Sequence, residues 1–306
     1  MSSVTVTGAT GLIGARLVSE LSDAGWSVTV LSRDPDRAGK RLGAGVEAHR
    51  WDLSAEPAPA ATLSGRDAVI NLAGAPVAQR WSASAKRAIR DSRVVGTENL
   101  IAGLRAAAPR PSTLLSASAV GYYGTHGNEP IDEEAPPGDD FLAEICEEWE
   151  EAAEQGSALD MRVTTIRTGV VLAPSGGALE KMLPPFRLGI GGPVAGGRQF
   201  MPWIHLDDVV GMYHAALEDE RWTGAVNATA PTPVSNSEFS RTLGRVLHRP
   251  ALLPVPGFAL RILFGEMAGI VTGGARVVPA KPLMLDYAFR HPQLDEALSS
   301  ALAPSD

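Results

Sequence analysis

The chain has little sulfur chemistry available to it: among its 306 residues Cys146 is the single cysteine. One thiol excludes an internal disulfide framework and any cysteine-rich zinc site, and its ordinary role is that of a small buried hydrophobe. No metal centre is expected. Lysine is scarce as well, confined to Lys40, Lys86, Lys181 and Lys281, and neither lysine nor arginine occurs between Arg110 and Arg162. The net charge is −8 and no basic cluster interrupts it, which predicts no nucleic-acid partner and no anionic membrane partner. Long apolar runs are missing too. The most apolar stretch, Leu252 to Val271, is broken by Pro254, Pro256, Arg261 and Glu266, and no charged-then-apolar leader precedes the first strand, so a cytoplasmic protein is expected. The length suffices for a full core in one large domain or two.

What is present announces itself at once. Val4-Thr5-Val6-Thr7 is a β-branched run leading into Gly8-Ala9-Thr10-Gly11-Leu12-Ile13-Gly14, with glycine at every third position. Gly8 suits a tight turn, Gly11 lets backbone approach a pyrophosphate, and Gly14 lets the next helix pack close to the strand. Free amides at that helix start attract phosphate. Leu12, Ile13, Leu17, Val18 and Leu21 follow at helical spacing, giving the strand–turn–helix context that makes glycines a dinucleotide signature.

The first half continues as short apolar runs alternating with helical patterns, with strands predicted at Ser3 to Thr7, Ser27 to Ser32, Glu47 to Arg50, Ala68 to Leu72, Thr113 to Ser116 and Thr164 to Thr168. This predicts an α/β fold: a Rossmann-like, doubly wound parallel sheet with a smaller, mainly helical substrate-side lobe. Residues 1–170 form the dinucleotide-binding region, and residues 171–306 form the lobe and a carboxy-terminal module interleaved with the same sheet. One long helix is expected from Ala83 to Ala107. Further along, a helix is expected from about His205 to Glu218, a strand from Ala225 to Ala228 and a helix from Ser235 to Leu247.

Ligands in such sheets sit beyond the carboxyl ends of the strands. The second strand ends Leu31-Ser32-Arg33; a guanidinium fork pairs with a ribose 2′-phosphate and Ser32 adds a hydroxyl, so NADP(H) is favoured over NAD(H). A boundary one residue later would put Asp34 at the ribose and reverse the preference. Asp52 and Leu53 after the third strand, and Leu72, Ala73 and Gly74 after the fourth, form a wall for adenine and ribose. Asp52 either binds the adenine amino group or caps a turn.

Together these residues resemble the extended short-chain dehydrogenase/reductase superfamily, the sugar-nucleotide epimerases and dehydratases. The resemblance spans nearly the whole chain. It includes the glycine loop, Asp52-Leu53, Asn71-Leu72-Ala73-Gly74, Ser116-Ala117-Ser118-Ala119-Val120-Gly121-Tyr122-Tyr123-Gly124 and Trp203-Ile204-His205-Leu206-Asp207-Asp208. Ser92-Arg93, Trp149-Glu150, Arg167 to Leu172, Pro185 to Gly189 and a carboxy-terminal module with Gly265-Glu266, Arg276 to Pro279 and Phe289 mark an atypical branch. Names used for that branch include epimerase and SulA-type cell-division inhibitor; no residue chemistry here expresses the second. The resemblance implies NADP(H) held by the glycine loop (Gly8, Thr10, Gly11, Leu12, Ile13), Ser32, Arg33, Leu72, Ala73, Arg93 and backbone near Val170. Arg93 is equally an ordinary exposed helix-face arginine.

The superfamily's usual acid/base pair, a tyrosine with a lysine four residues later, is missing. With Trp149-Glu150 setting the register, the lysine's place falls near Cys146 and the tyrosine's near Leu142 or Phe141. Ser118, Tyr122 and Tyr123 remain as hydroxyl candidates, Ser118 and Tyr122 being the catalytic pair to inspect. A phenol with no cation beside it stays near its reference pKa of about 10 and is a poor base. The acidic run from Asp132 to Glu154 reads as a solvated helix face, and His205 with Asp207 and Asp208 reads either as a general base or substrate contact or, the favoured reading, as the start of a helix. Two functions follow: an NADP(H)-dependent oxidoreductase or epimerase on a carbonyl or sugar-like small molecule, or a non-catalytic NADP(H)-dependent regulatory or scaffold protein with a protein partner.

Overall fold

The β-branched run at the amino terminus forms an interior strand of the sheet, two strands from one edge. In the computed structural model, which describes residues 2–43 and 45–303, β1 (Ser3–Thr7), β2 (Ser27–Ser32), β3 (Glu47–Arg50), β4 (Ala68–Asn71) and β5 (Thr113–Ala119) join strands Arg162–Thr168 and Gly224–Ala228. These make a 7-stranded sheet ordered Gly224–Ala228, Arg162–Thr168, β5, β4, β1, β2, β3. Every pairing in it is parallel. Val4, Val6, Val28, Val30, Val69 and Ile70 are all buried, because helices cover both faces; hence the near-continuous apolar strands.

The crossover helices are α1 (Leu12–Asp23), α2 (Pro35–Leu42), α3 (Ala60–Leu63), α4 (Ala83–Asp91), α5 (Val94–Ala106) and α6 (Phe141–Glu154). On one face α1 and helix Leu206–Glu218 pack Leu17, Val18, Leu21, Val209 and Tyr213 against the sheet. On the other, α5 supplies Leu100, Ile101 and Leu104. Residues beyond 170 return strand Gly224–Ala228 to the sheet and build a separate core from Leu179, Leu183, Phe186, Phe239, Leu243 and Leu298. Among the described residues, no helix is long and apolar enough to cross a membrane.

Several boundaries differ from the sequence expectation, among them the starts of strands Arg162–Thr168 and Gly224–Ala228, two residues and one residue early. β4 stops at Asn71, one residue early, while β5 runs to Ala119, three residues further than expected. The single helix expected from Ala83 to Ala107 is two, α4 and α5, broken at Ser92-Arg93. The Ser92 hydroxyl donates to the Ile89 carbonyl at 3.0 Å and accepts the Ala75 amide at 2.8 Å, so it competes with the helical ladder and ties the break to the loop after β4.

Candidate functional site

Chain order reverses between β1 and β4, and that switch point opens the crevice where such sheets take their ligands. The Thr7 hydroxyl donates to Asn71 Oδ1 at 2.7 Å and accepts the Ala73 amide at 3.3 Å, which locks the two strand ends together. Gly8 has φ +67°, and a methyl there would stand 2.6 Å from the Leu72 carbonyl carbon. Only glycine fits that position. At Gly14 a methyl would meet Ala9 Cα at 2.7 Å, so α1 can approach the turn only without a side chain. The first turn of α1 has no side-chain cap and no acidic residue, leaving its amides open beside a pocket lined by Gly8, Gly11, Leu12, Ile13, Leu72 and Val170. Thr10 is half-buried in the same turn. These features fit a dinucleotide pyrophosphate.

At the end of β2, Arg33 is exposed and enters no ion pair among the described residues. Asp34 is occupied elsewhere. It caps α2, its carboxylate accepting the Arg37 amide at 3.0 Å, and its own amide donates to the Ser32 hydroxyl at 3.2 Å. Asp52 accepts the Ser54 amide at 3.2 Å, which is the turn-capping arrangement. The Leu53 carbonyl accepts from Asn99 Nδ2 at 2.8 Å, and its side chain lies against Gly96.

The half-buried Arg93 leaves the break between α4 and α5, where it lies over Gly74: a methyl on Gly74 would be 3.1 Å from its guanidinium carbon. Arg93 Nη1 donates to the carbonyls of Ala75 and Ile89, both at 3.1 Å, and the group stands 5.2 Å from the Trp149 ring centre. No carboxylate pairs with it among the described residues. Burial lowers its pKa while the nearby Cys146 opposes that shift, so this is a desolvated cation with unused N–H groups, not a helix-face arginine in water.

Near the end of β5 the expected hydroxyl does not line the crevice. Ala117 lines it, and by strand alternation Ala119 shares that side while Ser118 points to the other. Ser118 is buried, and its hydroxyl donates to Glu150 Oε1 at 2.6 Å. Glu150 in turn accepts Arg167 Nε and Nη2, each at 2.8 Å. Arg167 Nη1 donates to the Tyr123 hydroxyl at 2.9 Å, which donates to Asn227 Oδ1 at 2.7 Å. At the two positions where the register puts the missing pair, α6 presents Leu142 and Cys146 to Gly121, with Leu142 Cβ 3.4 Å and Cys146 Sγ 3.9 Å from a methyl built there. Burial pushes the Cys146 thiol up to about 12, so it is neutral and inert.

Two expectations need correction here. The acidic run is not uniformly solvated: Glu150 closes the pair with Arg167, and Glu133 is buried, accepting the Asn227 amide at 3.0 Å and the Lys281 amide at 3.2 Å. Nor are the tyrosines without a cation, because Arg167 lies over the Tyr122 ring with its guanidinium carbon 3.5 Å from the centroid. Sequence inspection of residues 110–162 misses both cations, since Arg93 and Arg167 enter from segments outside it. Even so, Tyr122 and Tyr123 are both raised, first by burial and against the pull of Arg167, Tyr123 to about 12.

His205 caps helix Leu206–Glu218, its Nδ1 accepting the Asp207 amide at 3.1 Å. Asp208 is buried and accepts the amides of Arg290 and His291 at 2.6 and 3.0 Å, clamping the carboxy-terminal segment onto that helix. Ligand atoms of His205, Asp207 and His291 lie within 4.8 Å of one another. The His205 Nδ1 lone pair is taken by the helix amide, and Asp207 also accepts Arg16 Nε at 3.0 Å, so these side chains tie the helix start to α1.

This architecture recurs in known proteins. Residues 4–228 match the model of the NAD dependent epimerase/dehydratase family, and residues 255–301 match a domain of unknown function, DUF1731. An epimerase family protein SDR39U1 homolog, chloroplastic, from Arabidopsis thaliana is 40% identical over 98% of this chain and 86% of its own length. The crystal structure of human epimerase family protein SDR39U1 with NADPH superposes with a TM-score of 0.87 at 34% identity, covering 98% of this chain and 99% of that one. UDP-glucuronic acid 4-epimerase from Bacillus cereus, in complex with UDP-glucuronic acid and NAD, shares the fold at 16% identity, with a TM-score of 0.79 over 98% of each chain. With its nucleotide crevice, its glycine turn and its carboxy-terminal module, the chain belongs to the NAD dependent epimerase/dehydratase family.

Proposed function

We propose that the protein binds NADP(H) and acts as an oxidoreductase- or epimerase-type enzyme on a carbonyl or sugar-like small molecule. The carrying observation is the division of labour at the end of β2, where Asp34 caps α2 and Arg33 is exposed and enters no ion pair among the described residues. That arrangement suits a 2′-phosphate and leaves no carboxylate for a 2′-hydroxyl. The NADPH of the human relative supports the same reading.

Gly8, Thr10, Gly11, Leu12 and Ile13 hold the pyrophosphate, Ser32 and Arg33 the phosphorylated ribose, and Leu53, Leu72, Ala73, Gly74 and Val170 the walls, with Asp52 shaping the adenine end. Arg93 offers its unused N–H groups to the cofactor's oxygens. Bound NADP(H) supplies hydride chemistry. Tyr122 is the proton carrier of this scheme: half-buried and raised in pKa by burial, it rests protonated, gives its proton to a substrate oxygen in the reducing direction and takes it back in the reverse. Ser118, committed to Glu150, acts as a positioning residue by holding the carboxylate that fixes Arg167 under Tyr122.

A second reading, a non-catalytic NADP(H)-dependent regulatory protein, is favoured by the alanines on the crevice side of β5 and by Leu142 and Cys146 on α6. Following NADPH absorbance across carbonyl compounds and nucleotide sugars separates the two. Consumption that falls at least about a hundredfold in Tyr122→Phe supports the enzyme; tight NADPH binding with unchanged absorbance throughout supports the regulator.

A further inference from the structure

Residues Leu188 and Ile190 lie beside Leu252 and Leu253 because the two segments run together, the Leu253 amide donating to Gly191 at 3.4 Å and the Val255 amide to Pro193 at 2.8 Å. Helix Gly257–Phe264 starts two residues later. It buries Leu260 inward and turns Phe258 and Ile262, one helical turn apart, to the outside. The exposures are large: 75% for Leu188, 79% for Leu252, 69% for Phe258 and 70% for Ile262. Scattered apolar residues at a surface need no explanation, but large ones gathered on adjoining segments do.

Charge sets this face apart from the rest of an acidic chain. Neither residues 181–206 nor residues 239–265 contain an aspartate or glutamate, although the net charge is −8. Arg187, Arg249 and Arg261 are exposed there, and Arg249 Nε donates to the Arg187 carbonyl at 3.1 Å. An apolar centre bordered by arginines, with Glu266 just past the helix already paired with Lys86, matches the boundary of an anionic bilayer, whose acyl region takes the hydrophobic side chains and whose headgroups take the guanidinium groups. An acidic protein surface would satisfy the arginines and leave Phe258 and Ile262 unsatisfied. We infer that this face seats the protein peripherally on an anionic lipid surface, with helix Gly257–Phe264 lying in the interface. The expectation of no membrane partner rests on the net charge of −8 and the absence of a basic cluster in the sequence, whereas the fold brings Arg187 beside Arg249.

Flotation of the full chain with vesicles of phosphatidylcholine alone, or mixed with phosphatidylglycerol, tests this. The wild type should float with the mixed vesicles, less so at high salt, and remain behind with the zwitterionic ones. Phe258→Ser with Ile262→Ser should weaken binding roughly a hundredfold. NADPH affinity and the melting curve check that this variant folds. Arg261→Glu, a surface charge reversal, should weaken binding to the mixed vesicles roughly tenfold. The inference is overturned if the wild type floats with neither vesicle, if both variants bind as it does, or if the double variant only converts a dimer to a monomer in size-exclusion chromatography, which would make a second copy the occupant.

Discussion

Arg167 and Tyr122 are stacked, the guanidinium carbon 3.5 Å from the ring centre, while the same guanidinium closes a two-point pair with Glu150 at 2.8 Å. The arginine is held from its edge by the carboxylate and covers the phenol with its face, so Tyr122 is positioned by a group whose own geometry is fixed. Burial still outweighs this cation in the pKa of the phenol. The stack therefore orients Tyr122 without making it a base.

Removing the anion should expose the cost of that pair. Glu150→Gln leaves Arg167, whose side chain is 5% exposed, without its counter-charge, and urea unfolding should record a loss of roughly 3–5 kcal/mol. Ser118→Ala should cost less, about 1.5–3 kcal/mol, because one hydrogen bond to a carboxylate is lost and the ion pair remains. Equal losses, or less than about 1 kcal/mol for Glu150→Gln, would contradict this assignment.

Gly14→Ala places a methyl 2.7 Å from Ala9 Cα. The helix must move off the strand, so stability should fall by roughly 1–3 kcal/mol and NADPH affinity should fall with it. Calorimetry showing full affinity in the variant would mean that the approach of α1 to the glycine turn does not shape the phosphate site.

His205 is pulled down to about 4, chiefly by burial, with His291 and Arg16 adding to the shift and Asp207 opposing it. Its folded pKa lies below the unfolded value of about 6.5, so the unfolded chain binds the extra proton between those values and His205's contribution to stability is lost as pH falls through that window. Asparagine can cap the helix without titrating. His205→Asn should flatten the fall in urea midpoint between pH 6.5 and pH 4, and a slope equal to the wild type would show that His205 is not responsible.

The sheet and the cofactor crevice were legible because they depend on local pattern: β-branched runs, glycines at fixed spacing and the residues directly after β1, β2 and β4. Arg33 and the glycine turn sit in such local contexts. The polar group at β5 was not legible, because Ser118 and Tyr123, Glu150, Arg167 and Asn227 come from four separated segments that only the folded sheet brings together. Glu150 in particular looked like one more carboxylate on a solvated helix. Which of Ser118 or its neighbours faces the crevice depended on strand alternation through Ala117 and Ala119, and the extra residues of β5 carry that alternation further than expected. The break at Ser92-Arg93 was hidden for a different reason: the hydroxyl that causes it is partnered by Ala75, in another loop.

Cofactor choice at Arg33 is tested most directly by titration calorimetry of NADPH and NADH against the wild type and Arg33→Asp. The wild type should bind NADPH at least about tenfold more tightly than NADH, and Arg33→Asp should lose that margin through weaker NADPH binding, with NADH affinity held or improved. NADPH affinity unchanged by the substitution, or a wild type that prefers NADH, would contradict the assignment of Arg33 to the 2′-phosphate and with it the proposed NADP(H) site.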